Sequence, residues 1–209
     1  MTPLRQLAWG LLLTCAAGMI DVVGFIELGG YYTSFMSGNT TQLGDGIAQL
    51  GPHLLLPTGL IAMFFAGSFL GSLVAQSKTR GGAVGVLLLV LLGLAVCLAL
   101  RFAGFTAAQA MLALAIGAGA QNAVLTPSGA ARLGATFITG TLFASGQDLA
   151  RAMRGNAPPW RWTQHLLVWA ALLLGALLGA AAYAALSTWT LLIPGLLYLG
   201  VLLRHQIRK

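Results

Sequence analysis

Four acids punctuate this 209-residue chain, and three of them, Asp21, Glu27 and Asp45, flank or occupy one short phrase. Asp21 interrupts an apolar run over 7–28. A charged side chain deep in a bilayer costs at least about 2.5–3.5 kcal/mol on insertion scales. Two readings of Asp21 therefore stand side by side. It is a proton or cation relay, or it accepts structural hydrogen bonds from a polar segment packed opposite. That segment contains Ser37-Gly38-Asn39-Thr40-Thr41. Ser, Asn and Thr suit helix starts, and Gly38 permits a bend or close approach. A helix starting there aims free N–H groups and the positive end of its dipole at whatever it faces. Thr139-Gly140-Thr141 offers the same chemistry later in the chain, and Gln121-Asn122 stands where a second Asp21 would be. Two facing helix starts favour an anion or the oxygen of a polar solute. The competing reading is that glycines and hydroxyls only let buried helices pack.

The remaining polar residues carry less. Glu27 and Asp45 are expected near the outer interface and Asp148 near the inner one, solvated by water or headgroups. Asp148 and Arg151 are spaced to pair along a helix. His53 and His165 read as interfacial side chains, as do Trp9, Trp160, Trp162, Tyr31 and Tyr32. Cys15 and Cys97 sit in apolar stretches with no CxxC, so neither a disulfide nor a zinc site is expected. No nucleotide-binding loop, HExxH or GxSxG is present, and no cofactor or metal is implied.

The elements that must position these residues follow from composition. Charged residues are 7% and hydrophobic ones 58%, with a mean hydropathy of +0.87. Soluble domains carry about 25% charged residues. The chain reads as a polytopic all-helical membrane protein, and its +7 net charge is a topology signal rather than a nucleic-acid one. Spanning helices are expected over roughly 7–28, 54–76, 82–101, 105–125, 163–183 and 185–203. The Leu12-Leu13-Thr14-Cys15 stretch loosely suggests a lipoprotein cleavage site. The apolar run continues well beyond it, however, so the first stretch reads as a membrane helix.

Segments 33–50 and 134–150 are too polar to face lipid, and must be buried in protein or line a wet cavity. Positive charge arbitrates between re-entrant segments and full crossings. With six crossings and both termini inside, only Arg101 of the 11 basic residues lies outside. With eight, Lys78, Arg80 and Arg132 fall outside. Six crossings and cytoplasmic termini are therefore expected.

The chain also resembles itself. Ser34–Asn39 lies over Thr136–Thr141, Gly18 and Asp21 over Gly119 and Asn122, and Gly67-Ser68-Phe69-Leu70-Gly71 over Gly175-Ala176-Leu177-Leu178-Gly179. The reading is one membrane domain of two repeats, 1–104 and 105–209. Three crossings per half is odd, so the repeats insert with opposite orientation, as in many secondary transporters. The GxxxG pairs, Gly67 with Gly71 and Gly175 with Gly179, suit close helix packing, either within the chain or in a homodimer.

The run Gly18–Gly44, GMIDVVGFIELGGYYTSFMSGNTTQLG, resembles the YoaK-like family of uncharacterised bacterial membrane proteins. Asp21, Gly29-Gly30 and Ser34 through Thr41 carry the likeness. It implies a multi-pass protein of the bacterial inner membrane with about six helices, and no settled substrate. The sequence thus leads to a non-enzymatic secondary transporter or channel for a small polar or anionic solute, with proton coupling assigned to Asp21. A membrane scaffold without a transport cycle is the alternative, and an intramembrane enzyme ranks below both.

Overall fold

The structure, a computed structural model, describes residues 4–49, 54–77, 81–124 and 137–207. It is all-helical among these residues. The long helices are α1 (Leu4–Glu27), α3 (Leu55–Ala75), α4 (Gly82–Phe102) and α7 (Arg161–Leu186); shorter ones are α2 (Met36–Ala48), α5 (Ala107–Ala120), α6 (Ile138–Met153) and α8 (Leu192–Ile207). Helices α3 and α4 have 21 residues each. A helix rises about 1.5 Å per residue, so each reaches about 31 Å, enough for a hydrocarbon core of about 30 Å. Four stretches are long and apolar enough to cross a membrane: α1, α3, α4 and the run Arg161–Arg204, which contains both α7 and α8.

Two expected spans differ in detail. The stretch 105–125 is an α-helix for only 14 residues, from a capping box of Thr106 and Gln109, and then tightens into a 3-10 turn over Gln121–Ala123. The stretch 185–203 begins as a 3-10 turn, Ser187–Leu191, before α8. Ser187 sits at φ 51°, a rare conformation for a residue with a side chain, and it breaks α7 from α8. The polar segments are helical over most of their length. Residues 78–80, 132, 134–136, 208 and 209, which bear on the charge count and the repeat, lie outside the described residues, as does His53.

Glycine contacts fix the helix directions. Added methyl groups at Gly175 and Gly179 of α7 would run into Cys15 and Met19 of α1, and one at Gly18 would meet Leu172 and Ala176. The numbers rise together, so α1 and α7 run parallel. In the same way Gly67 and Gly71 of α3 abut Ile116 and Ala120 of α5, and Gly119 abuts Phe64 and Ser68. Helices α3 and α5 are therefore parallel too. Gly93 of α4 meets Ala113 and Gly117, and Cys97 meets Met111, so α4 opposes α5. The last turns of α1 and α4 are joined by Glu27 and Arg101, 3.4 Å apart, and Glu27 also accepts from Tyr183 near the end of α7. At the other end, the Arg204 guanidinium of α8 lies 5.3 Å from the Trp9 ring of α1. Thus α1, α4 and α7 point one way, and α3, α5 and α8 the other. Neither α2 nor α6 changes the alternation.

Gly67, Gly71, Gly175 and Gly179 are all buried in these intramolecular contacts. Of the two readings of the GxxxG pairs, packing within the chain is the one these contacts support. The chain's own backbone already occupies the space that the missing side chains leave.

Candidate functional site

Helix α1 ends at Gly29 and Gly30, with φ of 63° and 111°, and the Gly30 N–H donates back to the Phe25 carbonyl. Only glycine adopts this pair of conformations at low cost. The turn sends residues 30–35 back along α1, and α2 then returns beside them. The Gln42 amide donates to the Gly30 carbonyl, and Asn39 exchanges two hydrogen bonds with the Tyr32 backbone, at 3.0 and 2.7 Å. Residues 30 and 32 therefore lie beside 42 and 39, which makes the segment a hairpin.

Asp21 holds the tip of this hairpin. Its Oδ1 accepts from the Thr33 N–H at 3.1 Å, the Thr33 hydroxyl at 3.2 Å and the Ser34 N–H at 2.9 Å. Thr33 and Ser34 are buried, so these donors need an acceptor. Asp21 is thus a brace in this structure, six residues, or about 9 Å along the helix, from the end of α1.

The start of α2 meets the start of α6. Ser34, Phe35, Met36 and Ser37 face Phe137, Ile138, Thr139 and Gly140 across a cavity of about 290 Å³, closed on a third side by Phe64. Phe64 is the tenth of the 21 residues of α3, so the cavity lies halfway along a spanning helix. Both lining tetrapeptides fall within the matched phrases 34–39 and 136–141.

The expected site residues divide accordingly. Ser37, Thr139 and Gly140 line the cavity, and a methyl group added at Gly140 would meet nothing within 4 Å. Asn39 is fully buried and spends its amide on Tyr32. Gly38 admits the Phe35 and Tyr32 rings, which a Cβ would meet at 2.7 and 3.1 Å. The hydroxyls of Thr40, Thr41 and Thr141 donate to carbonyls of their own helices, those of Met36, Ser37 and Ile138. Gln121 accepts from the Tyr198 hydroxyl, and Asn122 donates to the Ala118 carbonyl. Neither is among the lining residues of this cavity, and Asp21 reaches it only through Ser34. The hydrophobic walls, Phe35, Phe64 and Phe137, were not expected. Their signal was the Phe shared by both copies of the phrase.

Two ionic clusters correct the expectation of solvated acids. The Glu27 side chain is 7% exposed and is held by Arg101, Tyr183 and Thr188. The Asp148 side chain is 5% exposed, with Arg161 Nε at 3.0 Å, Arg151 at 3.4 Å as its spacing implied, and His165 Nε2 at 3.5 Å. His165 is buried here rather than interfacial, because the acid gives its ring a polar neighbour. Tyr32 packs between Phe25 and Phe35 instead of anchoring at a membrane surface. Asp45 does lie at the surface, accepting from Gln49.

Residues 9–203 match a family described as a protein of unknown function, DUF1275. A UPF0700 transmembrane protein of Rhizobium meliloti (strain 1021) is 30% identical over 196 residues, covering 92% of this chain and 84% of that protein. No solved structure matches.

Proposed function

The chain belongs to the DUF1275 family of multi-pass transmembrane proteins, a family without an assigned activity, and we propose that it is a secondary transporter or channel for a small polar or anionic solute. The observation that carries this reading is the cavity at the starts of α2 and α6. Both helices bring the positive ends of their dipoles to one place, although the Met36, Gly38 and Asn39 N–H groups of α2 already donate to the Ser34 and Phe35 carbonyls. Ser37 and Thr139 add hydroxyls there, and the phenylalanines limit its width.

The proposed architecture is six crossings in two inverted repeats, 1–104 and 105–209, with both termini cytoplasmic in a bacterial inner membrane. What supports it is the direction of the helices. In the first half α1, α3 and α4 run up, down and up, and in the second α5, α7 and α8 run down, up and down. The reciprocal glycine contacts, Gly18 on α7 and Gly119 on α3, support the same pairing of halves. The YoaK-like name belongs to this proposal. So does proton coupling through Asp21, the one acid in contact with the hairpin tip. No catalytic step, cofactor or metal is part of the reading.

Proteoliposomes loaded with formate, nitrate, chloride or urea test it. At least one of these should exchange faster than in protein-free vesicles, and Gly140→Phe should slow that exchange by about tenfold by filling the cavity. Flux no faster than in empty vesicles for all four would favour the scaffold reading instead. If Asp21 carries a coupling proton, Asp21→Asn should remove the pH dependence of flux while leaving the fold intact. An external label reaching Thr79→Cys in a Cys15- and Cys97-free background would overturn the topology.

A further inference from the structure

A second cavity, of about 250 Å³, lies beside Asp21, between α1 and α7. Its walls are Val22, Leu172 and Ala176, and Phe25 and Tyr32 stand at it with ring centroids 5.1 Å apart. Asp21 is its charged group. The groups of Thr33 and Ser34 that brace Asp21 are all neutral donors. Among the described residues no basic side chain pairs with Asp21, whereas Glu27 and Asp148 each have arginine partners.

We propose that this cavity binds a small organic monocation with an apolar body, its charge set against the Asp21 carboxylate. Three features select that class. The carboxylate stands in a spanning helix without a countercharge, and a ligand cation supplies one. Phe25 and Tyr32 line the cavity, and aromatic rings attract cations, quaternary ammonium groups included. The aliphatic walls suit hydrocarbon and offer nothing to a hydrated inorganic ion. The volume is below that of drug-sized sites, so the ligand carries one ring or a short chain. This proposal is independent of the solute cavity at the starts of α2 and α6, which lies beyond Ser34.

The test is equilibrium binding of benzyltrimethylammonium to the purified full-length protein in lipid nanodiscs, with benzyl alcohol and benzoate as the neutral and anionic counterparts. Saturable binding of the cation is expected, with benzyl alcohol and benzoate each weaker by about tenfold or more. Asp21→Asn should weaken cation binding by about tenfold, with its melting temperature followed in parallel. Phe25→Leu keeps the bulk of a half-exposed side chain and removes the aromatic face. It should weaken binding about threefold, and it decides the matter if Asp21→Asn does not fold. No saturable binding of the cation, equal binding of benzyl alcohol, or unchanged binding in Phe25→Leu would overturn the proposal. None of these results bears on formate, nitrate, chloride or urea flux, so the two readings fail separately.

Discussion

Helices α2 and α6 begin with copies of one phrase and meet at one cavity, yet they are held at opposite ends. The start of α2 is pinned, with Asp21 gripping Thr33 and Ser34 and Asn39 locking the Tyr32 backbone. The later part of α6 is pinned instead, where Asp148 gathers Arg151, Arg161 and His165, and Ser145 donates to the Trp162 carbonyl. The glycine contacts, by contrast, are the same in both halves. Backbone touching backbone leaves one solution, no side chain, so both copies keep it. A hydrogen bond can be supplied from several directions, so the polar braces differ.

The largest effect should come from the shared part. Gly175→Ala places a methyl group on the Cys15 carbonyl, and Gly67→Ala does the same at Ile116. Each should cost about 3 kcal/mol or more, since neither neighbour is a side chain that can turn away. Similar losses of melting temperature in the two variants would support the pairing of α1 with α7 and of α3 with α5. A silent result in one alone would break it.

Next come the unshared braces. Asp21→Ala strips an acceptor from two buried backbone donors and should cost about 2–3 kcal/mol. Asp21→Asn, which keeps an oxygen, should be nearly neutral to the fold. The Arg151 and Arg161 side chains are exposed enough to hydrate once released from Asp148. Asp148→Ala should therefore cost less, about 1–2 kcal/mol. Hydrogen exchange sharpens the contrast. Asp21→Ala should loosen the start of α2 first, and Asp148→Ala the end of α6. The smallest stability change, below about 0.5 kcal/mol, is expected for Thr139→Val, which alters only the cavity wall. Its effect should appear in solute flux and not in melting temperature.

Much of this was legible in the residues. Hydrophobic runs located the spanning helices, and Gly18, Gly67, Gly71, Gly175 and Gly179 marked the close helix contacts because close packing constrains residue type. Gly29-Gly30 and the polar phrase marked the hairpin. Which polar groups face the cavity was not legible. Thr40, Thr41 and Thr141 have the same chemistry as Ser37 and Thr139, but in helices their hydroxyls turn back to nearby carbonyls. Only the position of each residue on its helix separates wall from non-wall. Nor was the burial of Glu27 legible, since its partners Arg101 and Tyr183 lie far along the chain and meet it only where the ends of α1, α4 and α7 converge.

The most direct measurement is on the cavity itself. Ser37→Cys and Thr139→Cys, introduced together into a Cys15- and Cys97-free background, should be joined within one chain by a short bis-methanethiosulfonate. Each alone should react with a charged, water-borne thiosulfonate. Cross-linking together with aqueous labelling is what two helix starts facing one wet cavity predict. Cysteines that never join, or that react only with a lipid-soluble reagent, would contradict the account.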